Sequence, residues 1–348
     1  MSYDIPPIIV GAWQLSRGHN VEPPDTERVL DAFSNMVEAG LTTFDCADIY
    51  TDVEKLLGDF LGRYHGEIGQ NPPPPISIHT KFVPDRDILS GITKTYTEAI
   101  INRSRERLGV DCLDLVQLGW WDYKVPYYVD AAVWLRELAE AGKIRRIGAT
   151  NFDVTRLREI VDTDVPIFSH QVQYSLLDHR PERGMVEFCH EHGIHLLCYG
   201  TLAGGFLSER WLNAPEPAEP LPNRSLTKYK LIIDEFWGWT AFQELLAAIH
   251  DIATKHGVSI GNVATRYVLD RPQVAAVIIG ARSDDHLADN LRTLALELDE
   301  EDTETLRELT VHRTPPGDVY ELERRQDGSY ASIMRYNLNA DDLPRMID

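Results

Sequence analysis

The sequence predicts an α/β fold, a single-domain (β/α)8 TIM barrel, on three observations. Eight short apolar runs rich in Ile, Val, Phe and Thr alternate with amphipathic stretches whose apolar residues recur three and four positions apart. The first run passes into Gly11-Ala12-Trp13-Gln14, without the GxGxxG spacing that opens a doubly wound dinucleotide sheet. Eight such units in roughly 290 residues suit a barrel, whose ordinary size is about 250 residues plus insertions.

Taken in order, the strands read at residues 8–14, 42–47, 76–82, 113–120, 145–151, 168–174, 195–201 and 274–280, each bounded by Gly, Pro or charged residues. Helical periodicity occupies 26–39, 53–64, 92–108, 130–141, 154–161, 181–192 and 240–256. Four of these stretches stop at a glycine able to take the left-handed turn that ends a helix: Gly40, Gly142, Gly193 and Gly257. Residues 203–238 break the rhythm after the seventh strand. Prolines at 215, 217, 220 and 222 and the aromatic close Phe236-Trp237-Gly238-Trp239 read as a long loop, expected to shape the site as a lid. The prolines at 72–75 stiffen the entry to the third strand. The barrel is assigned residues 1–311, and 312–348 form a C-terminal tail expected to pack on or near the active-site face.

Charge narrows the function. Against 34 basic side chains stand 55 acidic ones, a net charge of -21, and a surface that negative repels phosphate backbones and anionic lipid. No nucleic-acid or membrane partner is expected; the partner is a small-molecule substrate, and the oligomeric state stays open. No apolar run approaches the ~18 residues needed to span a bilayer. The first ten residues carry Asp4 and two prolines and no basic stretch, so no secretory signal is expected. Cys46, Cys112, Cys189 and Cys198 lie scattered in apolar surroundings with no CxxC pair, which suits reduced thiols in a cytoplasmic protein.

In a barrel the reactive side chains sit at the C-terminal ends of the strands. Those ends offer Asp45 with Tyr50 just beyond, Lys81, Gly119-Trp120-Trp121, Thr150-Asn151, Gln171, Tyr199-Gly200 and Gly280-Ala281-Arg282. A tyrosine, a lysine and an aspartate from successive strands make chemical sense as a proton donor. A phenol with pKa near ~10 gives up its proton reluctantly, a neighbouring ammonium favours the phenolate, and a carboxylate holds the ammonium in place.

Longer stretches around these residues resemble one family. They are Phe44-Asp45-Cys46-Ala47-Asp48-Ile49-Tyr50 followed by Glu54 and Gly58, then Thr80-Lys81, then Arg107-Leu108-Gly109-Val110-Asp111 leading into Leu113-Asp114-Leu115-Val116-Gln117-Leu118. Gly142-Lys143-Ile144-Arg145-Arg146-Ile147-Gly148-Ala149-Thr150-Asn151-Phe152, Gln171 with Tyr174, Tyr199, and Ile279-Gly280-Ala281-Arg282 with Asn290 complete the series. In this order and spacing the chain resembles the aldo-keto reductase superfamily, NAD(P)H-dependent carbonyl reductases on a (β/α)8 barrel. The resemblance implies that Tyr50 donates a proton to the carbonyl oxygen, Lys81 depresses its pKa and Asp45 anchors Lys81. It further implies NADP(H) as cofactor. Thr150, Asn151 and Gln171 would sit at the nicotinamide, with Asn151 and Gln171 bonding its carboxamide and Tyr199 stacking on its ring. The backbone from Gly200 through Leu202 and Gly204 would line the pyrophosphate. Gly280, Arg282, His286 and Asn290 would hold the adenosine end. Arg282 suits a 2′-phosphate and favours NADPH, while His286 stands where the family often has Arg or Gln.

One departure matters. The family's catalytic histidine follows Gln-Leu at the fourth strand's end, and here Gln117-Leu118 is followed by Gly119. The glycine is expected to leave an imidazole-sized space beside Tyr50, open to substrate or water, with Trp13, Trp120 and Trp121 around an aromatic-lined pocket. Trp13 either touches substrate or caps the barrel. His79, two residues before Lys81, shares its inward face one layer deeper and reads as a buried histidine. No metal site is expected: His190-Glu191-His192 lacks HExxH spacing, because Ile194 occupies the second histidine's place. The reading is hydride transfer to a carbonyl or conjugated C=C of a hydrophobic or aromatic small molecule. Two alternatives remain open. One is a non-redox isomerase, dehydratase or cyclase with Tyr50 as acid, and the other a catalytically weak NADPH-binding sensor or interaction subunit.

Overall fold

The computed structural model describes residues 5–17, 25–66 and 74–339. Residues 1–4, Pro72, Pro73 and the tail beyond 339 lie outside the described residues. Eight parallel strands close into a barrel in chain order: β1 (Ile8–Gly11), β2 (Thr43–Asp45), β3 (Ser77–Phe82), β4 (Leu115–Leu118), β5 (Ile147–Thr150), β6 (Ile167–Gln173), β7 (His195–Tyr199) and β8 (Val274–Gly280). Each lies inside or against its expected run, so the chain folds as the (β/α)8 barrel the alternation predicts. Most are shorter than the run because the C-terminal residues have already turned into the loops that carry the site.

By internal contact the chain groups into two compact units. The first comprises the described residues within 8–171, Gly280–Asp284 and Arg335–Asn339. It holds β1 to β5 with α1 (Thr26–Glu38), α2 (Val53–Gly66), α3 (Lys94–Leu108), α4 (Tyr128–Glu140) and α5 (Val154–Val161). α1 starts where the Asp25 side chain accepts from the Arg28 N–H, and α3 where Thr93 does the same for Tyr96. Phe33, Phe44 and Phe60 pack edge to face with centroids 4.9 and 5.3 Å from Phe33, locking α1 and α2 onto β2. At Gly58 a Cβ would lie 2.1 Å from the Arg107 carbonyl oxygen, so only glycine lets α2 approach α3 this closely.

The second unit comprises Val172–Ile279 and Asp285–Met334, with residues 5–7. It holds β7, β8, α6 (Met185–His192), α7 (Arg224–Glu235), α8 (Gly238–His256), α9 (Ile260–Leu269), α10 (Leu287–Ala295), α11 (Glu300–Thr310) and the short α12 (Glu321–Arg324). α9 and α11 open with capping boxes, Ser259 with Asn262 and Asp299 with Asp302. The stretch expected to be a loop at 203–238 carries α7, whose Asn223 cap accepts from the Leu226 N–H. The prolines end just before this cap and so break nothing inside the helix. Among the described residues no helix is long and apolar enough to cross a membrane.

Candidate active site

Strand register builds the site in the first unit. Asp45 pairs with His79, Lys81 with Gln117, and Thr150 with Gln171; Asp45, Lys81, Gln117 and Thr150 lie at or next to the C-terminal ends of their strands. Lys81, only 4% exposed, puts its Nζ 2.6 Å from Asp45 Oδ1 and 2.8 Å from the Cys46 carbonyl. The same Nζ lies 5.1 Å from the centre of the Tyr50 ring. Burial pulls the Lys81 ammonium down, but Asp45 and then Tyr50 outweigh it and hold Lys81 above its ordinary range, so it is a fixed cation.

The other oxygen of Asp45 is claimed by two amides. Gln117 Nε2 donates to Oδ2 at 3.0 Å and Gln171 Nε2 at 2.7 Å, and Gln171 also donates to Gln117 Oε1 at 3.1 Å. Gln117 was not singled out as a site residue by sequence reasoning. The available signal was its register opposite Lys81, which requires knowing the strand pairing. Gln171, which the resemblance sends to a carboxamide, here reaches Asp45.

Tyr50 is half-buried beside Trp13, with ring centroids 4.7 Å apart. Burial pushes its phenol up to about 12 while Lys81 pulls it down, so Lys81 acts in the direction the resemblance implies without winning. The phenol therefore carries its proton at neutral pH. His79 is fully buried, and burial pushes it down to about 4, which leaves it neutral below Lys81.

Room is short in the direction a side chain on Gly119 would leave the backbone. A Cβ there would meet Val83 Cγ2 at 3.1 Å and Thr150 Cγ2 at 3.2 Å, so methyl groups already close in along that direction. Its backbone φ lies outside the left-handed region, and nothing in the main chain demands glycine. Trp120, expected to line the pocket, is instead buried in its own loop. Its indole N–H is spent on the carbonyls of Val125 at 2.8 Å and Asp122 at 3.1 Å. Trp121 is half-buried and stands perpendicular to Tyr336 at 5.3 Å.

Tyr336 belongs to the tail, whose described end is clamped onto the residues that follow β3. The Arg86 N–H donates to the Tyr336 carbonyl at 2.9 Å, and Asp85 accepts from the N–H groups of Leu338 and Asn339, both at 2.9 Å. The Asn339 amide donates to the Val83 carbonyl at 3.0 Å and to Asp48 at 3.4 Å, and Arg103 donates to its oxygen. Burial, then Glu54, lifts the Asp48 carboxyl to about 7. Glu54, nearly inaccessible, accepts from Thr80 at 2.6 Å and Arg107 at 3.1 Å, which gives this motif residue a bracing role between β3 and α3.

Asn151 follows β5 with a φ of 62°, its N–H donating to the Gln171 carbonyl at 2.9 Å, and Thr150 Oγ1 donates to the same carbonyl at 3.3 Å. At Gly280 a Cβ would lie 2.7 Å from Gln14 Nε2. Arg282 is exposed and makes no hydrogen bond or ion pair with the described residues.

The remaining expected residues belong to the second unit. Tyr199 is half-buried at the end of β7 and leads into Gly200, Leu202 and Gly204, where the Leu202 carbonyl accepts from Gly205 at 2.9 Å and Leu207 at 3.2 Å. His286 precedes α10 and supplies no side-chain cap, and Asn290 lies one turn inside that helix. His256, Asp299 and Asp302 bring three ligand-type atoms together, but Lys255 already occupies the group at 2.6 Å from Asp299 and 2.8 Å from Asp302.

A closed barrel whose strand ends place a buried lysine and aspartate under a protonated tyrosine defines a class. The chain belongs to the aldo/keto reductase family, whose model matches residues 7–311. It is 28% identical over 318 residues to flagellar radial spoke protein 5 of Chlamydomonas reinhardtii, covering 74% of this chain but only 59% of that protein. It is 29% identical over 325 residues to protein tas of Escherichia coli, covering 84% and 91%. Among solved structures, a thermostable aldo-keto reductase in complex with the inhibitor epalrestat superposes with a TM-score of 0.67 at 25% identity, covering 88% of this chain and 95% of that one.

Proposed function

We propose that this protein is an NADP(H)-dependent oxidoreductase acting on a carbonyl or conjugated C=C of a hydrophobic or aromatic small molecule. One observation carries the reading: the buried Lys81–Asp45 pair beneath the ring of Tyr50, whose phenol keeps its proton. The cofactor, when bound, supplies the hydride. Tyr50 supplies the proton to the substrate oxygen or carbon, and Lys81 stabilises the phenolate left behind. Asp45, held by Lys81, Gln117 and Gln171, keeps the ammonium from following the proton.

The residues present fit such a cofactor. The unspent guanidinium of Arg282 offers a fork of donors to a phosphate, and the N-cap residue of α10, His286, makes no side-chain cap of its own. Asn151, Gln171, Thr150, Tyr199 and the 200–204 backbone take the nicotinamide and pyrophosphate in this reading.

The test is a titration of the purified protein's tryptophan fluorescence with NADPH and, separately, with NADH. Saturable micromolar binding of NADPH with much weaker NADH is the expected result. Binding of neither cofactor overturns the proposal.

A further inference from the structure

α7 brings a lysine into an aromatic box at the end of β7. Lys228 Nζ lies 5.0 Å from the centre of the Tyr199 ring, 5.3 Å from that of Tyr320 and 5.6 Å from that of Tyr229. Its nearest carboxylate is Glu323 at 3.8 Å, on the tail helix α12 and fully buried. Burial draws the Lys228 ammonium down and Glu323 restores part of the loss.

The box is built rigidly. Tyr229 sits so close to the β7 loop that a Cβ at Gly200 would lie 2.5 Å from its hydroxyl, and one at Gly204 2.7 Å from its ring. Tyr320 holds a left-handed φ of 58°, a costly conformation that the surrounding packing enforces. Arg180, 1% exposed, donates to both Asp178 and Glu323, with its Nη2 2.7 Å from Asp178 and its Nη1 2.9 Å from Glu323. The buried Arg180 and the half-buried Lys228 thus balance two buried anions, and Lys228 faces Tyr199.

We propose that Lys228 is a positioning residue acting through Tyr199, setting the protein's preference between the reduced and oxidised nicotinamide. This rests on the proposed function, in which Tyr199 stacks on the nicotinamide ring. A tyrosine whose π system already faces an ammonium offers less to a second cation. The oxidised nicotinamide ring is cationic and the reduced ring is neutral, so Lys228 weakens the oxidised form selectively and eases its departure after hydride transfer. Replacing Lys228 by a neutral side chain leaves the buried cluster one negative charge in excess, which attracts the oxidised ring.

The experiment measures NADPH and NADP+ dissociation constants by fluorescence for wild type, Lys228→Met and Lys228→Arg, with thermal midpoints recorded alongside. Lys228→Met is expected to tighten NADP+ roughly fivefold or more while NADPH moves less than about twofold. Lys228→Arg keeps the charge and the wild-type ratio. Should Lys228→Met not fold, Lys228→Gln carries the same expectation with a polar head. Equal shifts for both cofactors, or none, overturn the role of Lys228 and leave the oxidoreductase reading standing. A wild type that binds neither cofactor overturns both.

Discussion

Placing a histidine at Gly119 separates a specialised reductase from a barrel whose proton donor has no function. The substitution adds a Cβ at 3.1 Å from Val83 Cγ2 and 3.2 Å from Thr150 Cγ2, followed by a whole imidazole. Overpacking of this kind costs about 1–3 kcal/mol, and removing a glycine returns about 0.4–1 kcal/mol through the unfolded chain. Gly119→His alone should therefore lose about 1–2 kcal/mol, or roughly 1–3 °C in thermal midpoint for a chain of this length. Trimming Val83 to alanine in the same chain makes room, so the double variant should be more stable than the sum of the two single ones. The assay is the loss of reduced-nicotinamide absorbance with a simple aromatic aldehyde. A well-placed acid–base group contributes about 10²–10⁴ in rate, and a gain of at least tenfold in the double variant over Val83→Ala is expected. A folded double variant with an unchanged rate would refute the reasoning, because Tyr50, Lys81 and Asp45 would then not be the machinery a histidine completes.

The other predictions test single links. Tyr50→Phe should lower kcat/KM for reduction by about 10²–10⁴ while the NADPH dissociation constant stays within about twofold. Gln117→Leu removes one of two amide donors from Asp45 Oδ2, and should cost about 1.5–3 kcal/mol in denaturant unfolding with a parallel loss of rate. Arg282→Gln should weaken NADPH roughly ten- to hundredfold and NADH hardly at all, as read by the same titration. Asp48, lifted to about 7, keeps its proton in the folded state while the unfolded chain loses its own above the ordinary 3.8. Stability therefore falls as pH rises through that window and levels off above it; Asp48→Asn should abolish the slope, which urea midpoints at about pH 5 and about pH 8 will show.

The barrel was legible because its strands are short, apolar and evenly spaced, and covering on both faces leaves no other use for such runs. Asp45, Tyr50 and Lys81 were legible as a group because the stretches that carry them resemble the family's, and the fold brings the three side chains together. Three things were hidden. Gln117 reaches Asp45 only through the register of β4 against β3, which one strand's sequence does not contain. The methyl groups around Gly119 come from Val83 and Thr150, on two other strands' ends, so the size of the space could not be read from the glycine. Trp120 and Trp121 are adjacent and chemically identical, and only the loop that turns between them sends one indole to Val125 and the other to Tyr336. α7 was missed for a local reason: four prolines upstream mask a helix whose cap, Asn223, follows immediately after them.

The lattice around Asp45 also fixes what kind of molecule can touch it. Both hydrogens of the Gln171 amide are committed, one to Asp45 and one to Gln117. Only its oxygen remains to meet a visitor, and that oxygen can only accept. A group that settles against Gln171 without breaking the lattice must therefore bring a hydrogen of its own. A primary carboxamide does so and an ionised carboxylate does not, so this edge of the site reads an amide from its acid by valence alone.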